Sequence, residues 1–201
     1  MLAGELYRLL MAGGDRDSDF VRHVLACPLA LAQGEAGRKL DQALGLSAAD
    51  ITTLLLTYFP HAAAFLAERF SFDGQGDAPA SIEEPDLRDL LLQHRSRPGA
   101  EAVWMAHIIA RRSLESNHLW QDLGLTGRAD LSRLMREFFA PLADANQRDM
   151  KWKKFFYRTL CQMEGMSICK SPVCDSCADF AICFGAEDGP SLLAQIARAH
   201  A

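Results

Sequence analysis

The chain reads as all-α: a single compact multi-helix domain with a C-terminal irregular cysteine loop. Three observations predict this. Apolar residues recur at helical spacing through most of the 201 residues, the pattern of helices that bury one face. No stretch alternates apolar and polar residues over strand length, and Leu and Ala far outnumber the β-branched residues that suit strands. Gly, Pro and Asp cluster between the periodic runs, where they break helices.

The elements follow in order. Leu2–Met11 is apolar at helical spacing and stops at Gly13-Gly14. Asp17 can cap a segment carrying Phe20, Val21, Val24 and Leu25, which Pro28 interrupts. Ser47 caps Ala48–Phe59, with Asp50 at a capping-box-like position, and Pro60 ends the run. His61–Phe70 is another short helix. Residues 71–81, SFDGQGDAPAS, form the clearest loop and are expected to be flexible. Ser81 starts the helix Glu83–His94, whose first-turn acids suit the helix dipole. Pro98-Gly99 separates it from Ala100–Glu115, which is apolar nearly all round and so predicted to be a buried central helix. Further helices are predicted at Leu119–Leu123, Ala129–Ala140, Asp149–Met163 and Ser191–Ala199. The helical body thus covers 1–165, the cysteine loop 166–186 and the tail helix 187–201, as one domain.

Composition narrows the function. A net charge of -5 argues against a nucleic-acid partner, whose binders carry a basic footprint. No apolar run approaches the roughly 18 residues of a membrane span; the longest, Ile51–Phe59 and Ala102–Ala110, have core-helix length. The N-terminus MLAGELYRLL has Glu5 early and no basic region, unlike a secretory signal. A cytoplasmic protein is expected, and there thiols stay reduced. The cysteines then read as metal ligands rather than disulfides.

Four of the six cysteines fall within fifteen residues, as Cys169-x4-Cys174-x2-Cys177-x5-Cys183. Pro172 and Gly185 suit a tight, non-helical path around a centre. A four-cysteine zinc site commonly pairs two short knuckles across a longer spacer, and no spacer is present here. The close spacing favours an iron–sulfur type of cluster. Two alternatives stay open: a zinc-stabilised helical interaction module, and an iron–sulfur DNA-repair glycosylase, whose cysteines are similarly spaced. The glycosylase reading lacks its glycine-rich hairpin. Cys27, before Pro28 in an apolar segment, reads as a core residue. Cys161 reads as a non-ligand.

The segment DMKWKKFFYRTLCQMEGMSICKSPVCDSCADFAICFG, from Asp149 to Gly185, resembles the NifQ family of nitrogenase cofactor assembly. EAVWMAHIIARRSLESNHLWQDLGL at 101–125 is also similar to that family, and DFVRHVLACPLALAQGE at 19–35 is similar in character. The resemblance implies an iron–sulfur cluster containing molybdenum (Mo-Fe-S), held by Cys169, Cys174, Cys177 and Cys183, with molybdate as the molybdenum source. It implies a donor of molybdenum to the machinery that completes the iron–molybdenum cofactor. The implied partners are the nitrogenase cofactor assembly scaffold and its associated iron protein, with no nucleic acid and no membrane.

Secondary constellations surround this loop. Lys151, Lys154 and Arg158 share a helix face, either to meet molybdate or an acidic partner or simply as a solvated face. Trp104, His107, Arg111 and Glu115 form one stripe on the central helix, and His118 joins it if the helix continues. The plainer reading is a structural network pairing Arg111 with Glu115. The sharper one makes His118, at a helix break, or His107 an added molybdenum ligand, or Arg111 a molybdate contact. No catalytic triad, phosphate loop or dinucleotide fingerprint appears, so a carrier is expected rather than an enzyme.

Overall fold

A computed structural model describes residues 1–13, 19–35, 37–68, 70–72, 74–165, 177 and 180–199. Among them are thirteen α-helices and no strand, and the body forms one domain. The helices are α1 (Ala3–Met11), α2 (Asp19–Gln33), α3 (Leu40–Leu44), α4 (Ala48–Tyr58), α5 (Pro60–Ala67), α6 (Glu84–Gln93) and α7 (Ala100–Ser113). They continue as α8 (Leu119–Asp122), α9 (Arg128–Phe138), α10 (Ala140–Ala145), α11 (Trp152–Met163), α12 (Phe180–Phe184) and α13 (Leu192–Ala199).

Two helices form the centre. In α2 every residue from 24 to 32 is buried, and in α7 only Ala100, Glu101, Val103 and His107 escape full burial. Helices apolar on all sides must be surrounded. Accordingly α1 and α13 lie on α2, α3 joins α2 to α7, α6 and α8 flank α7, and α11 rests on α6. Trp152, Phe155 and Phe156 anchor α11, with ring centroids 5.7 Å apart from Trp152 to each phenylalanine.

Several expectations hold and others are corrected. The central helix at 100–113 is buried as predicted, and Ser47 caps α4, its Oγ accepting from the Asp50 N–H at 3.1 Å. Asp17 lies outside the described residues. Pro28, however, does not interrupt α2. A mid-helix proline costs about 3 kcal/mol, whereas each fully buried leucine contributes about 1.5–3 kcal/mol. Leu25, Leu29 and Leu31 are all buried in α2, so burial outweighs the lost hydrogen bond.

The predicted helix Ala129–Ala140 is instead two, broken at Phe139 (φ -140°, ψ 50°) with Pro141 in the first turn of α10. The same geometry joins α4 to α5 at Phe59 (φ -135°, ψ 46°), where Pro60 opens the next helix. Both phenylalanines are fully buried, so each corner is also a core anchor. The short helix α3 was not expected at all. It ends in Gly45 at φ 67°, the left-handed conformation that glycine adopts without strain.

The 71–81 loop is tied down rather than loose. Gly74 N–H donates to Asp41 Oδ2 at 2.9 Å. The carbonyls of Gly76 and Ala78 accept from Arg111 Nη2 at 3.1 and 2.7 Å. At Gly76 the backbone passes so close that an added Cβ would sit 2.3 Å from Asp41 Cβ.

Candidate metal centre

Cys169 and Cys174 lie outside the described residues, as does Pro172. Cys177 and Cys183 are described, and both are free, half-buried thiols. The Cys177 carbonyl accepts from the Phe180 N–H at 3.0 Å and so opens α12. Cys183 therefore sits in a five-residue helix, not in irregular chain. Its carbonyl accepts from the Lys151 N–H at 2.8 Å, and Lys151 Nζ donates to the Ala181 carbonyl at 3.2 Å. The first residue of the MKWKKFFYR basic face is thus the clamp that docks α12 beside the start of α11.

Around that clamp lies a basic hollow. Arg148 and Arg158 line a cavity of about 310 Å³ together with Gln147, Gln162 and Phe184. Arg148 covers the Phe184 ring at 5.3 Å, and Phe184 stacks on Phe180 at 4.7 Å. Arg158 and Lys151 thus come to the cysteine segment, while Lys154 points to solvent. Among the described residues no group of three or more His, Cys, Asp or Glu side chains is placed to hold a metal ion.

His118 also reaches this segment, through a residue the sequence reading missed. The side chain of Glu187 is almost fully buried, with one carboxylate oxygen 3.3 Å from His118 Nδ1 and the other on Arg128. Arg128 in turn donates to Asp149 Oδ1 at 2.8 Å and to the Met150 carbonyl at 3.1 Å. Glu187 follows Cys183 by four positions, so it ties the tail of the cysteine segment to the body. Nothing in its local sequence marks it out; only the fold brings Arg128 and His118 to it. The break that places His118 between α7 and α8 is as predicted.

The stripe on α7 faces elsewhere. Trp104 Nε1 donates to Asp50 Oδ1 at 3.2 Å, and His107 Nδ1 lies 3.0 Å from the Gly45 carbonyl. Burial lowers the pKa of His107, and the nearby Arg88 charge adds to this. Arg111 does not pair with Glu115. Its Nε donates to both oxygens of Glu84 at 3.0 and 2.9 Å, Nη1 to the Gln42 carbonyl, and Nη2 to the loop carbonyls above. All three nitrogens are engaged, which leaves Arg111 poorly suited to a molybdate contact. Burial raises the pKa of Glu84, but hydrogen bonds from Arg111, the Ala80 N–H and Arg88 outweigh it and hold the carboxyl below its ordinary range. Glu115, beyond the end of α7, pairs with Arg38 at 2.6 Å.

Two further clusters escaped the sequence reading. Lys153 Nζ donates to the Glu115 carbonyl and to Asp122 Oδ2, both at 2.6 Å, fastening α11 to α8. Inside the body, Tyr7 Oη lies 2.9 Å from His23 Nδ1, Cys27 Sγ 3.6 Å from the same nitrogen, and Asp130 Oδ2 3.5 Å from His23 Nε2. Burial, with Asp130 adding, pushes the Cys27 thiol far up, and burial pushes Tyr7 up to about 12. Cys27 is thus a neutral core thiol, as expected. Helical spacing of His23 and Cys27 was the available signal.

The donor chemistry of the cysteine segment fits a soft metal centre. Cys177 and Cys183 are in no disulfide and are partly accessible, and cysteine sulfur is the usual ligand of iron–sulfur clusters. Comparison with known proteins is consistent. A NifQ protein homologue from Sinorhizobium fredii is 41% identical over 180 residues, 88% of this chain and 77% of its own length. The NifQ protein of Rhodobacter capsulatus is 41% identical over 148 residues, 72% of this chain and 77% of its own. That of Azotobacter vinelandii is 46% identical over 105 residues, 52% of this chain and 54% of its own. No solved structure matches. The NifQ family profile spans residues 24–185, all four loop cysteines included, and the chain belongs to the NifQ family.

Proposed function

We propose that this protein carries a molybdenum-containing iron–sulfur cluster on Cys169, Cys174, Cys177 and Cys183 and donates its molybdenum to nitrogenase cofactor assembly. Family membership supports a role in nitrogenase-related molybdenum processing. The observation that carries the finer reading is the pair of free thiols inside the matched region, Cys177 just before a docked helix and Cys183 within it. Thiolates bind iron and molybdenum sulfides through soft donor sulfur. Lys151 and Arg158 stand beside this segment, where positive charge offsets an anionic cluster or attracts molybdate. His118, joined to Glu187, is the histidine best placed to add a nitrogen ligand. The protein works as a carrier, not an enzyme, handing its cargo to an assembly scaffold and the associated iron protein.

The test is anaerobic reconstitution with iron, sulfide and molybdate, followed by elemental analysis. The native chain should hold iron, labile sulfide and molybdenum together, and Cys177→Ser or Cys183→Ser should lose most of all three. Iron and sulfide without molybdenum in the native chain would sink the donor reading. An unchanged molybdenum coordination shell in His118→Ala would remove His118 from the ligand set.

A further inference from the structure

Helix α12 is apolar at every position, Phe180-Ala181-Ile182-Cys183-Phe184, yet none of its residues is buried. Cys183 and Phe184 pack partly against the core. Lys151 pins the helix beside the start of α11, through its N–H on the Cys183 carbonyl and its Nζ on the Ala181 carbonyl. The rest of the helix is open: Phe180 is 39% exposed, Ile182 53%, and Ala181 is exposed between them. A single exposed apolar side chain is ordinary. Leu56 on α4, among the exposed Thr52, Thr53 and Thr57, is of that kind. Three consecutive apolar residues held toward water on a pinned helix are not, and contiguous exposed apolar surface marks a contact with another molecule.

The charge beside α12 says what kind of surface meets it. Lys151 spends its ammonium on a carbonyl rather than a carboxylate. Lys154 is exposed and stands one turn further along α11, on the same face by helical spacing. Neither is paired with a carboxylate among the described residues. Two uncompensated cations thus flank the apolar stretch on a chain whose net charge is -5. An apolar centre with a charged rim is the common build of a protein contact, where the centre holds and the rim steers.

We infer that Phe180, Ala181 and Ile182 form a docking surface for an acidic protein, whose carboxylates meet Lys151 and Lys154 at the rim. The inference rests on the donor reading, which makes the occupant the scaffold that takes the cargo. That scaffold presents an apolar contact bordered by Asp or Glu. Because Cys183 lies in the same helix, docking here sets the receiving surface against the thiol and shields it from water.

Photo-crosslinking tests this. Benzoylphenylalanine is placed at position 182 of the full, cluster-loaded chain, or at position 56 as the control, and each is mixed with purified assembly scaffold. A crosslink from 182 to an acidic stretch of the scaffold is expected, and none from 56. Ile182→Asn and Lys154→Glu should load iron, sulfide and molybdenum as the native chain does. They should bind the scaffold about tenfold and about threefold more weakly, as loss of a central anchor and of a rim charge. The Lys154→Glu deficit should shrink as salt rises. If Ile182→Asn loads poorly, Lys154→Glu, which lies away from the cysteines, decides. A crosslink from 182 only to a second copy or to its own chain, equal crosslinking from 56, a basic target stretch, or Lys154→Glu binding like the native chain overturns the inference. A chain that loads molybdenum but never crosslinks condemns the docking surface alone. One that crosslinks from 182 but holds no molybdenum condemns the donor reading alone.

Discussion

Arg111 and Arg112 are neighbours on one helix, equally buried, and opposite in use. Arg111 spends all three nitrogens, two of them on carbonyls that hold α3 and the 71–81 loop, and sits against a fully buried Glu84. Arg112 spends one nitrogen on a carboxylate it shares with Arg38. Successive positions on a helix point about 100° apart, so one residue meets Glu84 and Gln42 and the next meets Glu35. A buried arginine with every donor matched is a structural tie. One with two donors unmatched among the described residues is a poorly compensated buried charge. Residue type and burial are the same in both cases; the partner inventory tells them apart.

This contrast can be broken by mutation. The largest effect should come from Arg111→Met, which orphans three carbonyls and removes the chief partner of a buried carboxylate. A loss of about 3–5 kcal/mol is expected in urea unfolding, with faster amide exchange in the 71–81 loop. Asp122→Ala should follow at about 2 kcal/mol, since it strips Lys153 and Asn117 of a nearly buried acceptor and charged hydrogen bonds are worth about 1.5–3 kcal/mol. Arg112→Met should cost no more than about 1 kcal/mol, because it removes a poorly matched buried charge and leaves Glu35 with Arg38. If it proves as damaging as Arg111→Met, the contrast collapses.

The smallest effect is a pH dependence. His107 has its folded pKa lowered, mainly by burial. Its unfolded value is about 6.5, so below that pH the unfolded chain binds the extra proton and stability falls with falling pH. His107→Gln should flatten that limb by no more than one proton's worth, about 1.4 kcal/mol per pH unit. Denaturant midpoints measured from pH 7.5 down to 5 read this directly. A slope as steep as in the native chain would remove His107 as its source.

The two sides also differ in how far the sequence reveals them. The helical class and the buried stretch at 100–113 were legible, because apolar periodicity is a local signal. So was the capping of α4 by Ser47. The Phe139 corner was missed although Pro141 stood in plain view, and α2 ran through Pro28 because burial on all sides outweighs one absent N–H. At the candidate centre, the cysteine spacing and the flanking MKWKKFFYR were legible at once. The partners were not. Arg111 was expected on Glu115 by helical spacing and found Glu84, twenty-seven residues away in the chain. Glu187 and Lys153 carried no local mark of their roles.

The sequence by itself determined the helical class, the family and the four-thiol segment, since each rests on spacing within a few dozen residues. Only the tertiary structure decided which charges meet: Lys151 with the α12 carbonyls, Glu187 with His118 and Arg128, Arg111 with Glu84. Charge pairing is set by distance in space, and a buried guanidinium takes whichever acceptors the packed helices bring within about 3 Å. For Arg112 the carboxylate they brought was Glu35.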